Sequence, residues 1–129
     1  MSDSSKPNVG SVGWFDLTIP DAEKVRDFYG AVVGWKPEPI DMGGYSDFSM
    51  STPSDGKGVA GICHARGVNS SMPPQWLIYI SVENIQVSAK RVVELGGKVL
   101  VPPKDMGSYG TYCVIQDPAG AVAALIQPK

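Results

Sequence analysis

Asp16 follows Trp14 by two residues in the run VGWFDLTI, and in an extended chain alternate side chains share a face. A carboxylate would then lie beside an indole. That pair suits a general base, or an anchor for a ligand amine or hydroxyl. It suits equally a structural carboxylate bonded to nearby backbone or to a tyrosine hydroxyl. By the same alternation Tyr79 and Ser81 share the face of Leu77, and Phe48 shares one with Met50. These sets read either as an aromatic, weakly polar pocket wall or as ordinary core filling. His64 is the single histidine, a candidate metal ligand or base. Its neighbour Cys63 would point to the opposite strand face, which disfavours a Cys–His pair and leaves a strand-end histidine as the simpler reading. Cys63 and Cys113 need a nearby cation, histidine or helix N-terminus to become nucleophiles, and nothing local to Cys113 supplies one. Gly58-Val59-Ala60-Gly61 lacks the strand-then-helix context of a phosphate loop, and Asp117-Pro118-Ala119-Gly120 reads as a turn.

The elements that must position these groups follow a repeated grammar. Val12–Ile19 reads as a strand, stopped by Pro20. Asp21 is a good N-cap for a helix whose Val25, Phe28, Tyr29 and Val32 form one apolar stripe, and Gly34 is its expected C-cap. From Trp35, Pro37 and Pro39 mark an edge strand. Strands are expected over 45–51 and 58–64, followed by a linker over 67–74. The pattern then restarts with a strand over 76–82. A helix capped by Asn84 follows, with Ile85, Ala89, Val92 and Leu95 on one face, ended by Gly96-Gly97. A short strand over 99–101 is cut by Pro102-Pro103, and strands over 109–116 and 121–127 flank the Asp117–Gly120 turn. Placing Asp21 on Asn84 is an offset of 63 residues, which also sets Val32 on Leu95 and Gly34 on Gly97. The expected fold class is α+β, a duplicated βαβββ unit whose spare sheet faces would enclose a cavity.

Composition bounds the partners. Eleven basic and thirteen acidic residues among 129 leave a net charge of -2, which argues against a nucleic-acid footprint. No apolar run approaches the ~20 residues of a membrane span, and MSDSSKPN lacks an apolar signal core, so the expected compartment is the cytoplasm. Two cysteines are too few for a disulfide framework, and both are expected as thiols.

Three stretches carry a family resemblance: WFDLTIPDAEKVRDFYGAVVGW (14–35), QWLIYISVEN (75–84) and GTYCVIQDPAGAVAALIQ (110–127). In order and spacing they resemble the vicinal oxygen chelate superfamily of glyoxalases, bleomycin-resistance proteins and extradiol dioxygenases. The resemblance spans residues 9–127. It implies one glyoxalase-like domain of two modules, about 9–66 and 75–127, with curved mixed sheets around a cavity, a flexible 1–8 segment and a homodimer. It also turns the Trp14–Asp16 face toward that cavity. The family's metal enzymes hold a divalent ion on His, Gln or Glu side chains from four strands. Carried over, those positions fall on Trp14, near Gly61, on Leu77 and on Ala124, none of which ligates through its side chain. The expectation is therefore no metal and no cofactor. The protein would be a small-molecule binder for an aromatic or planar ligand, lined by Trp14, Asp16, Phe48, Met50, Leu77 and Tyr79. The alternatives are a lyase, isomerase or dioxygenase-type enzyme with a non-standard site, and an interaction module whose cavity is filled by its own side chains.

Overall fold

A computed structural model describes residues 8–129, so the flexibility expected of residues 1–8 falls almost wholly outside the described residues. The described residues form two compact units: Trp14–Trp76, and residues 8–13 together with Leu77–Lys129. The first holds most of β1 (Val12–Ile19), then α1 (Ala22–Val33), β2 (Lys36–Asp41), β3 (Ser46–Ser51) and β4 (Gly58–His64). The second holds β5 (Trp76–Ser81) from Leu77 on, then α2 (Ile85–Glu94), β6 (Lys98–Asp105), β7 (Thr111–Gln116) and β8 (Val122–Gln127).

Both units have one topology. In the first, β1 runs parallel to β4, and β4, β3 and β2 are successively antiparallel. In the second, β5 runs parallel to β8, and β8, β7 and β6 are successively antiparallel. The 63-residue offset survives at atomic register: Asp16 pairs with Gly61, and their equivalents Tyr79 and Ala124 pair with each other. The duplicated βαβββ reading of the sequence is the observed architecture.

The helix boundaries follow from their caps. Asp21 accepts a hydrogen bond from the Lys24 amide at 3.3 Å, and Asn84 accepts one from the Val87 amide at 3.2 Å. Gly34 closes α1 at φ 79°, the left-handed conformation in which a Cβ is strained. The apolar stripe of α1 is only half used: Val25 and Tyr29 pack on the core, while Phe28 and Val32 stay exposed. On α2, Ile85 and Val92 reach the core and Leu95 does not. The strand expected over 99–101 runs on through Pro102-Pro103 to Asp105, with register shifts on both sides of Val101. β6 pairs only with β7 within its unit, so prolines without an N–H cost it no ladder bond on its open side. Among the described residues no helix is long and apolar enough to cross a membrane.

The helix-side face of the first unit is its core: Leu17, Ile19, Ala22, Phe48, Met50 and Ile62. The pairing of Phe48 with Ile62, and of Ile62 with Leu17, fixes this face. Asp16 pairs with Gly61, one residue out of step, and so belongs to the opposite face. The structure therefore corrects the grouping of Phe48 and Met50 with Trp14 and Asp16. Alternation along β3 sets these two together, but only the register with β4 says which side is covered by α1. As core, Phe48→Ala should cost about 3–5 kcal/mol in denaturant unfolding. A loss under about 1 kcal/mol would contradict its assignment to the core.

Candidate functional site

The face of the first unit away from α1 carries the polar chemistry. Trp14 and Asp16 are both half-buried there, and the Trp14 indole Nε1–H donates to Asp16 Oδ1 at 2.8 Å. Gly61 makes this pair possible. A Cβ at that position would overlap Asp16 Oδ1 and stand 3.2 Å from Asp16 Cγ. At Gly58 a Cβ would stand 3.8 Å from Trp14 Cη2, so the indole lies along a glycine-floored stretch of β4. The glycines that do not fit a phosphate loop thus have a different use: they let a carboxylate and an indole lie against bare backbone. Asp16 is thus a half-buried carboxylate anchored by the indole of its own strand.

Cys63 lies next along this face. Its own burial, then the carboxylates of Asp16 and Asp47, push the thiol far above its ordinary value, and it hydrogen-bonds Asp47. It is thus held as the neutral thiol, the opposite of an activated nucleophile. In the second unit, burial pushes the Cys113 thiol up to about 11, against a lowering backbone hydrogen bond at Leu125. Both cysteines are free, as the sequence suggests.

His64 ends β4 as a bridge between two carboxylates. Its Nδ1 is 3.2 Å from Asp47 Oδ1 and its Nε2 is 3.1 Å from Glu23 Oε1, while its backbone N–H donates to Asp47 Oδ1 at 2.8 Å. The bridge joins β3, β4 and the first turn of α1. Each ring nitrogen is used by a different carboxylate, so the groups do not converge on one point. The sequence reveals the histidine but not its partners: Glu23 lies 41 residues away along the chain. Among the described residues no group of three or more His, Cys, Asp or Glu side chains could hold a metal ion.

Leu77 and Tyr79 lie together in the second unit, on the face away from α2, with Ser81 and Ala124. Both are buried, and the Tyr79 ring lies 6.4 Å from that of Tyr112 at an interplanar angle of 30°. Tyr112 is a member of this face that alternation along β5 could not reveal. It joins through its pairing with Ile126 on β8. The structure thus keeps Trp14 with Asp16 and Leu77 with Tyr79, and moves Phe48 and Met50 to the α1 side.

The positions that the resemblance assigns to metal ligands offer an indole, a bare backbone, an isobutyl group and a methyl group. Their donor chemistry does not fit a divalent cation.

Comparison with known proteins accords with this architecture. The sequence profile described as Glyoxalase/Bleomycin resistance protein/Dioxygenase superfamily matches residues 11–125. The chain is 35% identical over 130 residues to the Mycobacterium bovis protein named "Putative glyoxylase CFP32", covering 98% of this chain and 49% of that one. It is 33% identical over 131 residues to "Anthracycline biosynthesis protein DnrV" of Streptomyces peucetius, covering 90% of this chain and 46% of that one. The chain therefore spans about half the length of the curated relatives it matches. Among solved structures, methylmalonyl-CoA epimerase from Mycobacterium tuberculosis superposes with a TM-score of 0.53 at 15% identity, covering 93% of this chain and 88% of that one. Hypothetical protein BH1468 from Bacillus halodurans C-125 gives 0.61 at 12% identity, covering 95% and 96%. At such identities the likeness shows the fold alone.

Two predictions follow from this geometry. Gly61→Ala should break the Trp14–Asp16 hydrogen bond by displacing the carboxylate, and a shifted Trp14 indole signal in a proton–nitrogen correlation spectrum reads it. An unmoved signal would contradict the packing described. Separately, the hydrogen bond from His64 holds the Glu23 carboxyl below its ordinary value. A carboxylate whose pKa is lowered by folding stabilises the fold above its unfolded pKa, and that contribution is lost as pH falls through the folded value. The stability gap between wild type and Glu23→Gln should therefore shrink between about pH 6 and about pH 3. A gap that widens on acidification would contradict it.

Proposed function

Because the chain belongs to the glyoxalase/bleomycin resistance protein/dioxygenase superfamily, we propose that it is a metal-free binding protein for a planar, aromatic small molecule bearing a hydroxyl or amine. The observation that carries this reading is the Trp14–Asp16 pair on the glycine floor of β4. An indole offers a flat apolar surface for stacking, worth about 0.5–1.5 kcal/mol beyond burial. The carboxylate beside it accepts a hydrogen bond from a ligand hydroxyl or amine, which fixes orientation. Such a site, mostly apolar with one anchoring charge, is the usual composition of a small-molecule pocket. Leu77 and Tyr79 belong to this reading as the equivalents, one repeat later, of Trp14 and Asp16. The function would be stoichiometric capture, with no bond made or broken. The name of the anthracycline biosynthesis relative supports a fused-ring ligand class. A homodimer belongs to the same proposal on the ground of the family resemblance, and light scattering that returns 13.7 kDa over a wide concentration range would contradict that part.

Quinizarin, a dihydroxyanthraquinone, is a suitable probe. Its binding should quench tryptophan fluorescence. Asp16→Asn should weaken it by about tenfold or more, the scale of one hydrogen bond to a charged group. Trp14→Phe should abolish most of the quenching. Quinizarin turned over to a new product would favour the enzyme alternative. No binding, together with a loss of about 3–5 kcal/mol of stability in Trp14→Ala, would mean that the indole is core and the domain an interaction module.

A further inference from the structure

The α1 side of the first unit carries a concavity. Phe15, Trp35, Val59, Ala60 and Trp76 line a pocket of about 380 Å³. Phe15 and Ala60 lie on the sheet face opposite Trp14 and Asp16, and Trp35 and Trp76 pack against the α1-side core. Its wall is a stiff aromatic assembly. Trp35 and Trp76 meet edge to face with centroids 5.9 Å apart, and Tyr29 packs against both, at 5.6 Å and 5.4 Å. The Trp76 Nε1–H donates to the Tyr29 hydroxyl at 3.1 Å, which fixes the ring. Its floor is low because residue 60 is alanine, 2% exposed, where a larger side chain would fill the space.

We propose that this pocket binds a neutral, flat hydrocarbon group, a one- or two-ring aromatic, as a second ligand site. The volume lies within the roughly 300–1,000 Å³ of small-molecule sites, and the lining is almost wholly carbon. With no charged side chain among the five lining residues, a charged ligand would lose its hydration without compensation. Edge-to-face pairing leaves ring faces and edges for a further aromatic group to meet in the same geometry. A second copy of this chain is the poorer occupant. A stable protein interface takes about 20–30 residues a side, and five line this pocket.

The test uses the full chain and 1-fluoronaphthalene, a neutral two-ring probe with no hydroxyl or amine for Asp16 to hold, followed by its fluorine NMR signal. Wild type should shift and broaden that signal with one saturable site. Phe15→Ala, at a wall residue that is 43% exposed, should weaken binding at least fivefold, and Val59→Phe, which fills the pocket from its rim, should abolish it. Trp14→Phe and Asp16→Asn should leave it unchanged. Failure of this proposal is thereby separable from failure of the Trp14–Asp16 reading, which rests on quinizarin. Three results overturn the proposal: no change in the probe signal with wild type; binding lost in Trp14→Phe but kept in Val59→Phe; or light scattering in which Val59→Phe halves the particle mass, which would make a second copy the occupant.

Discussion

The hydrogen bond from the Trp14 indole to the Asp16 carboxylate sets the terms for the rest of the first unit. A half-buried carboxylate on a sheet face must be partnered, and here one partner comes from two residues away on its own strand. The pair needs space that an ordinary strand does not have, and Gly61, directly opposite in the parallel β1–β4 register, supplies it. The same register recurs in the second unit as Tyr79 opposite Ala124, with a ring and a methyl group in place of a carboxylate and bare backbone. One architectural unit, used twice, thus holds two different chemistries.

Within each unit the one-residue alternation of the strands separates two faces. In the first unit the α1 side takes Leu17, Phe48, Met50 and Ile62, and the other side takes Trp14, Asp16 and Gly61. His64 falls on the α1 side and ties the first turn of that helix to β3 through Glu23 and Asp47. Phe15 joins Trp35 and Trp76, which pack against this core, as the aromatic lining of a pocket. Both proposed sites therefore depend on β1, which turns Trp14 to one face and Phe15 to the other.

Much of the fold is legible in the sequence because its signals are local. Asp21 and Asn84 mark helix starts, Gly34 marks an end, and the 63-residue offset shows the duplication. What escapes is non-local. Phe48 and Met50 alternate correctly, yet the covered face is chosen by the β3–β4 register. Val32 completes a helical stripe but lies beyond the reach of the sheet, and it stays exposed. Pro102-Pro103 ends a strand only if both of its edges are paired, and β6 has one paired edge within its unit. The partners of His64 come from chain positions 17 and 41 residues distant, for which no spacing rule exists. The Trp14–Asp16 pair is legible because its two members sit on one strand. The glycine floor beneath it is not, since Gly58 and Gly61 have opposite parity and reach the same indole only through the irregularity in pairing at Met50/Ser51.

The central claim is that the Trp14–Asp16 face is a ligand surface. Its most direct measurement is a proton–nitrogen correlation spectrum of the three indole N–H groups during quinizarin titration, with Trp14 assigned from the signal missing in Trp14→Phe. The account predicts that the Trp14 signal moves saturably as quinizarin binds, because its proton lies in the hydrogen bond that the ligand adjoins. A Trp14 signal that stays in place while the protein is saturated would contradict it.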